Sequence, residues 1–278
     1  MRAHFGGSSR ESLGATRLML DAAVKGATEQ EASLLSSELF SVAQTLAGSI
    51  ALRRAITDPS RDSDAKVALV RELFGKSLNA EALEIIANIA TLRWSSSADL
   101  VPVIEQLAIE AQASAANIAG QLDQVEDDFF AVSQAIAHAP ELREALTTSG
   151  AGDSKEALIV ELFGKKATDS TVKLVSYLIN NLRGRSIETA MEDYIFALAA
   201  RRNRLIAHVQ VAIGLSDSQS KRLAILLAGQ IGQPVRLNVE VTPEVVGGVS
   251  VRFGDEIIDG TISNRIAGAE RALAGAQG

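Results

Sequence analysis

Glu72-Leu73-Phe74-Gly75-Lys76, "ELFGK", occurs a second time, unchanged, at Glu161-Leu162-Phe163-Gly164-Lys165. A phosphate-binding loop would account for a Gly-Lys pair, but G-x-x-x-x-G-K-[ST] needs glycine at position 70 or 159, and the chain has Val70 and Ile159. The pentapeptide is the most visible part of a longer match: "AKVALVRELFGK" (65–76) aligns with "SKEALIVELFGK" (154–165), 89 positions on. Upstream, "LRRAIT" from Leu52 matches "LREALT" from Leu142, and downstream "TLRWSS" from Thr91 matches "NLRGRS" from Asn181, both 90 positions apart. One-residue slips of this kind belong in loops. Leu35, Leu39, Val42 and Leu46 carry the i, i+4, i+7, i+11 spacing of one helix face, and 90 positions on stand Val125, Phe129, Val132 and Ile136. Solenoid repeats run about 20 to 50 residues, so a period this long means a duplicated domain.

Composition narrows the chemistry. The 278 residues allow two or three domains, and 47% hydrophobic content with only 4% aromatic residues implies cores of Ala, Leu, Ile and Val, which suit close helix packing. With no cysteine, disulfides, thiolate nucleophiles and thiolate metal sites are all excluded, and a reducing compartment is expected. A formal net charge of −7 with dispersed basic residues argues against nucleic acid as a partner. "MRAHFGGSSRES" lacks the apolar core of a secretory signal, and no segment approaches 18 consecutive apolar residues, so the chain is not expected to cross a membrane by itself.

From about Glu11 to Arg204 the pattern is helical, with breaks at "TDPSRDSD" and "TTSGAGDS" that are equivalent in the two copies. The segment 11–24 maps onto 101–114, which maps in turn onto 191–204, so the helix near Val103 to Ala116 is expected to close one bundle and open the next. Within "ELFGK" the Leu-Phe pair is expected to pack inward, with glycine as a left-handed helix terminus and lysine on the negative helix end. After "RRNRL" the period changes to two: Ala207, Val209, Val211 and Ile213 alternate with polar or small residues, as do Val235, Leu237, Val239 and Val241. Between them, "SDSQSKRLAILLAGQIGQP" opens with a capping box from Ser216 to Gln219 and closes with Gly232 and Pro234. Gly254-Asp255 marks a hairpin that would set Val251 opposite Ile258, and a last helix would align Ile262, Ile266, Ala269 and Leu273. The expectation is a mostly α chain: a first helical bundle over 1–105, a second over 106–204, and a small α/β domain with a mixed sheet and hairpin over 205–278.

The segment from Val235 to Leu273 resembles the C-terminal signature of the delta subunit of F-type ATP synthases, the oligomycin-sensitivity-conferring protein family. The matching positions are Gly247, Gly248, Val249, Val251, Arg252, Gly254, Asp255, Ile258, Asp259, Gly260 and Arg265. Thr261, Asn264 and Ile266 depart from the usual Ser, Gly and Leu. The likeness extends back to about residue 103, and the extra first bundle resembles an extended form with a duplicated bundle found in some bacterial lineages. The resemblance implies a non-catalytic peripheral-stalk subunit serving ATP synthesis and hydrogen ion transport. It would bind the N-terminal helix of an alpha subunit in a bundle groove and the C-terminal region of the b subunits. The resemblance implies further that the chain lies at the cytoplasmic face of the cell membrane, peripheral and held there only through the complex. By family order the second bundle is expected to hold the head, the first bundle to extend the stalk contact or to bind another alpha N-terminus, and the motif residues, among them Gly247, Gly248, Val249, Arg252, Gly254, Asp255, Ile258, Asp259, Gly260 and Arg265, to be structural or to face b. The alternative is a free-standing helical adaptor or regulatory protein bridging partner chains.

Catalytic, cofactor and metal sites are not expected. His138 precedes Pro140 and reads as a favourable helix C-terminal residue, His208 lies on the polar side of a strand, and no His-x-x-x-His spacing occurs. In "EDDFF" (126–130) Phe129 belongs to the buried stripe, and the acids are expected to face solvent. "ARRNR" (200–204) reads as a linker. Gly254, Asp255, Asp259 and Gly260 read as turn geometry, since the EF-hand spacing is absent. Trp94, opposite Gly184 in the other copy, reads as packing particular to the first bundle or, as the lesser alternative, as a partner anchor.

Overall fold

The computed structural model describes residues 5–148, 152–201, 205–231, 235–242, 249–253 and 256–259, which fall into two compact units divided at Leu198/Ala199. The first unit holds α1 (Gly7–Val24), α2 (Glu29–Ala47), α3 (Ile50–Thr57), α4 (Ser63–Phe74), α5 (Ala80–Thr91), α6 (Leu100–Ile118), α7 (Leu122–His138), α8 (Pro140–Thr147), α9 (Gly152–Phe163) and α10 (Asp169–Asn180). It closes with α11 (Ile187–Ala200), whose end runs past the division. The duplication is visible element by element, since α2 to α5 are followed after α6 by α7 to α10, three of the four pairs equal in length and α7 two residues shorter than α2. Both expected stripes are buried, Leu35, Leu39, Val42 and Leu46 on α2 and Val125, Phe129, Val132 and Ile136 on α7.

The helix expected over 103–116 is one uninterrupted helix, α6, and all but three of its 19 residues are buried. A helix apolar on one stripe needs one neighbour; a helix buried all round must be shared. Alanines 108, 111, 113, 115 and 116 let its neighbours approach closely, and one hydrophobic core runs continuously from Phe5 to Leu198. The 105/106 division of the sequence therefore falls inside an element that both copies use.

Two details of "ELFGK" differ from expectation. Phe74 is buried and Phe163 packs against the core, but Leu73 and Leu162 are exposed. Gly75 is right-handed, at φ −61°. Its place is fixed by a close approach: an added Cβ would run into the carbonyl oxygen of Arg71, and at Gly164 into that of Val160. A left-handed backbone is used instead at Arg183 (φ 51°) and Gly184 (φ 78°). There the other copy carries Trp94, which packs against the core and donates its indole N–H to the Ile89 carbonyl at 3.2 Å.

The second unit is a four-stranded mixed sheet of β1 (Leu205–Val211), β2 (Val235–Val241), β3 (Val249–Phe253) and β4 (Glu256–Asp259), in the order β2-β1-β3-β4. β1 and β2 are parallel and joined by α12 (Asp217–Ile231), a β-α-β crossover, whereas β3 is antiparallel to β1 and forms a hairpin with β4. The capping box at the start of α12 is present: Gln219 N–H donates to Ser216 Oγ at 3.3 Å, and Ser216 N–H donates to Gln219 Oε1 at 2.8 Å. Val251 lies opposite Ile258. Ala207, Val209 and Val211 face the small core with Leu227 and Val251, while Ile213 lies beyond β1 and is 82% exposed, which corrects its place in the alternating stripe. The closing helix over 262–273 and the terminators Gly232 and Pro234 lie outside the described residues.

Candidate partner interface

The polar interior of the first unit is a set of buried ionic contacts made by α6. Glu105 is fully buried and receives Arg183, Arg185 (3.0 Å) and the Tyr194 hydroxyl (3.0 Å); Arg185 also reaches Asp193 at 3.2 Å. Burial, the largest single effect, lowers the Arg185 pKa, yet Glu105 together with Tyr194 and Asp193 outweighs it and the net shift is upward. Burial, helped by the same carboxylate, holds the Tyr194 phenol protonated well above its ordinary range. On the side toward α1, Glu110 accepts a two-pronged contact from Arg17 at 2.6 and 2.9 Å. The rest of the α1 seam is small and hydroxylic: Ser9 donates to Asp99 at 2.7 Å, and Ser12 to the Arg93 carbonyl at 2.6 Å. Such contacts fix orientation more than they add stability.

A second device is repeated in both copies. Glu38 on α2 accepts the backbone N–H of Asn79, the N-cap of α5, at 2.9 Å; Asp128 on α7 accepts that of Thr168, the N-cap of α10, at 2.7 Å. An acid thus reaches across the bundle to hold the turn that follows each "ELFGK". This corrects the "EDDFF" reading, because Glu126 and Asp128 are buried and only Asp127 is exposed. Burial, the larger effect, raises the Glu38 pKa above its ordinary value against the opposing Asn79 N–H. A carboxyl that holds its proton more tightly when folded loses stability as pH rises from its ordinary value to its raised one. Glu38→Gln keeps an acceptor for Asn79. Its stability relative to the wild type should therefore climb as pH is raised above the ordinary carboxylate value of about 4, read from urea midpoints at successive pH values.

The second unit presents apolar side chains of its own. Ile225 and Leu226 on α12 are 72% and 62% exposed, and Val241 at the end of β2 is 53% exposed. Of the sequence motif, Val249 pairs with Val211 and packs on the sheet core, Arg252 is exposed on β3 between His208 and Ile257, and Ile258 and Asp259 occupy β4. The hairpin thus brings four of the named positions together. Gly247, Gly248, Gly254, Asp255, Gly260 and Arg265 lie outside the described residues, as do residues 202–204 of "ARRNR". His138 ends α7 with Nδ1 2.8 Å from the Gln134 carbonyl. Among the described residues there is no cluster of three or more side chains suited to a metal ion, and no helix is long and apolar enough to cross a membrane.

A helical unit braced by one shared element, followed by a β-α-β-hairpin module with exposed apolar positions, defines a structural docking subunit, whose role rests on surfaces. Residues 109–273 match the family profile described as ATP synthase delta (OSCP) subunit. The chain is 41% identical over 269 residues to ATP synthase subunit delta of Streptomyces coelicolor, covering 96% of this chain and 98% of the relative. It is 40% identical over 275 residues to that of Streptomyces avermitilis (99% and 100% covered) and 38% identical over 270 residues to that of Thermobifida fusca (97% and 99% covered). The chain belongs to the ATP synthase delta (OSCP) family, and is a structural, non-catalytic subunit of the peripheral stalk. The profile begins inside α6, whereas the relatives match nearly the whole chain, so the first bundle is part of what these relatives share.

Proposed function

We propose that the chain ties the catalytic head of the ATP synthase to its membrane-anchored b subunits, on the cytoplasmic face of the cell membrane. The helical unit takes the N-terminal helix of an alpha subunit, and the sheet unit takes the C-terminal region of b, with the hairpin around Val249, Arg252, Ile258 and Asp259 and the apolar α12 face offered to it. Gly247, Gly248, Gly254, Asp255, Gly260 and Arg265 belong to the same motif and serve this second contact or the unit's own structure. The observation that supports the reading is α6, buried on all sides and shared by both copies, because a stator must resist rotor torque without bending between its contacts. Contacts of this kind, amphipathic helices on large apolar faces, dissociate slowly.

Membranes stripped of this subunit should keep the ATPase activity of the head while ATP-driven proton pumping is lost, and adding back the full chain should restore pumping. Full pumping without the chain would overturn the stator reading and favour the free-standing adaptor.

A further inference from the structure

The duplication allows one helical copy to be read against the other. On the second copy, α10 presents Ser170, Lys173 and Tyr177 along one face, and α2 of the first copy is seated there. Tyr177 donates to the Phe40 carbonyl at 3.1 Å with the two rings 3.7 Å apart, and Lys173 donates to Ser33 at 3.0 Å. Ser33 donates to Gln112 of α6 at 3.2 Å, Gln112 donates to Ser170 at 2.8 Å, and Ser36 donates to the Ala108 carbonyl at 2.7 Å. An amphipathic helix therefore already fills the face formed by α6 and α10.

The equivalent face of the first copy is formed by α1 and α5. Eighty-nine positions before Ser170, Lys173 and Tyr177 stand Glu81, Glu84 and Asn88; ninety before Ala108 and Gln112 stand Leu18 and Ala22. Glu81, Glu84, Leu18 and Ala22 are all exposed, Leu18 at 71%, and beside Leu18 an added Cβ on Gly14 would meet open space. A cleft of about 240 Å³ lined by Lys25, Glu31, Leu35, Asn79 and Glu81 opens where the end of α1 meets the start of α5. The charge is also changed, since Glu84 stands where the filled face has Lys173. Its 3.7 Å pair with Arg71 is solvent-exposed on both sides, a contact that exchanges readily.

We propose that the α1–α5 face of the first copy is the helix-binding face of this subunit, and that α2 occupies the equivalent face of the second copy from within the chain. The occupant is one amphipathic helix of another chain, with a seam of small and apolar residues over Leu18, Gly14 and Ala22 and Lys or Arg flanking it toward Glu81 and Glu84. The proposal rests on the stator reading only for which chain supplies that helix. It moves the contact with the head from the second bundle, where family order had placed it, to the first.

Because the chain has no cysteine, single-cysteine variants report on each face directly. Leu18→Cys and Lys173→Cys are placed in the full chain, checked for unchanged thermal melting, and labelled with a maleimide both as free subunit and in the assembled ATP synthase. Assembly should slow labelling at Leu18→Cys by about tenfold or more, as a side chain at the centre of an interface loses contact with water, and leave Lys173→Cys unchanged. A photoactivatable crosslinker on Leu18→Cys then identifies the occupant. Crosslinking to the alpha subunit supports both readings, and crosslinking to another chain keeps the face and overturns the assignment to alpha. Unchanged labelling at Leu18→Cys, or protection at Lys173→Cys in its place, overturns the proposal.

Discussion

Glu105→Ala is expected to lower the unfolding free energy of the helical unit by about 3 to 5 kcal/mol, the cost of removing one partner from a buried ionic cluster. Glu105 is 0% exposed and is the shared acceptor for Arg183, Arg185 and Tyr194. Alanine leaves two guanidinium groups and a phenol facing a cavity. Urea denaturation followed by far-ultraviolet circular dichroism reads the effect as a shift in midpoint. Glu105→Gln, which keeps the shape and the acceptor for Tyr194, should fall between wild type and alanine. A loss below about 1 kcal/mol for alanine would mean that the cluster is hydrated and behaves as a surface pair. The Tyr194 phenol sharpens the test at high pH. Its raised pKa means the unfolded chain gives up that proton first, so the wild type should lose stability as pH rises above about 10.

Phe129→Ala is the second large effect, about 3 to 5 kcal/mol, because the ring is fully buried and stacked on Tyr194 with centroids 5.8 Å apart. Leu39 holds the equivalent place on α2 and is also fully buried, so Leu39→Ala should cost about 2 to 5 kcal/mol. Both variants should shift the same transition. Helices of both copies pack on α6, and a cavity in either copy weakens the core that the other also uses. Two separate transitions, with each variant moving only its own, would show that the copies fold independently.

What the sequence disclosed follows the physics of periodicity. The stripes on α2 and α7, the single helix α6, the β-α-β-hairpin order and the Val251–Ile258 register each depend on spacing along the chain, and spacing is what a sequence records. Contacts between helices distant in sequence were hidden. Asp128 reads as a solvent-facing acid, and nothing along the chain marks Glu38, until the turns at Thr168 and Asn79 are brought to them. Leu73 and Leu162 were expected inside because apolar residues usually are, but at their turn of the helix Phe74 and Phe163 already face the core. Gly75 was expected to be left-handed from its place after a helix, but it carries α4 on in the right-handed region, its N–H donating to the Arg71 carbonyl one turn back at 2.9 Å, and a glycine alone does not announce which of the two conformations it takes. The seating of α2 against α10 was illegible for the same reason: no pattern within either copy shows which of its faces the other copy covers.

α6 joins the two helical copies into one mechanical piece, and native-state hydrogen exchange on the full chain tests this most directly. Amides of α2 and α5 in the first copy and of α7 and α10 in the second should exchange through a common opening in low urea. Phe129→Ala should then reduce protection in α2 and α5 together with α10. If Phe129→Ala lowered protection in α7 and α10 alone while α2 and α5 kept their wild-type rates, the copies would be separate bodies and the claim would be wrong.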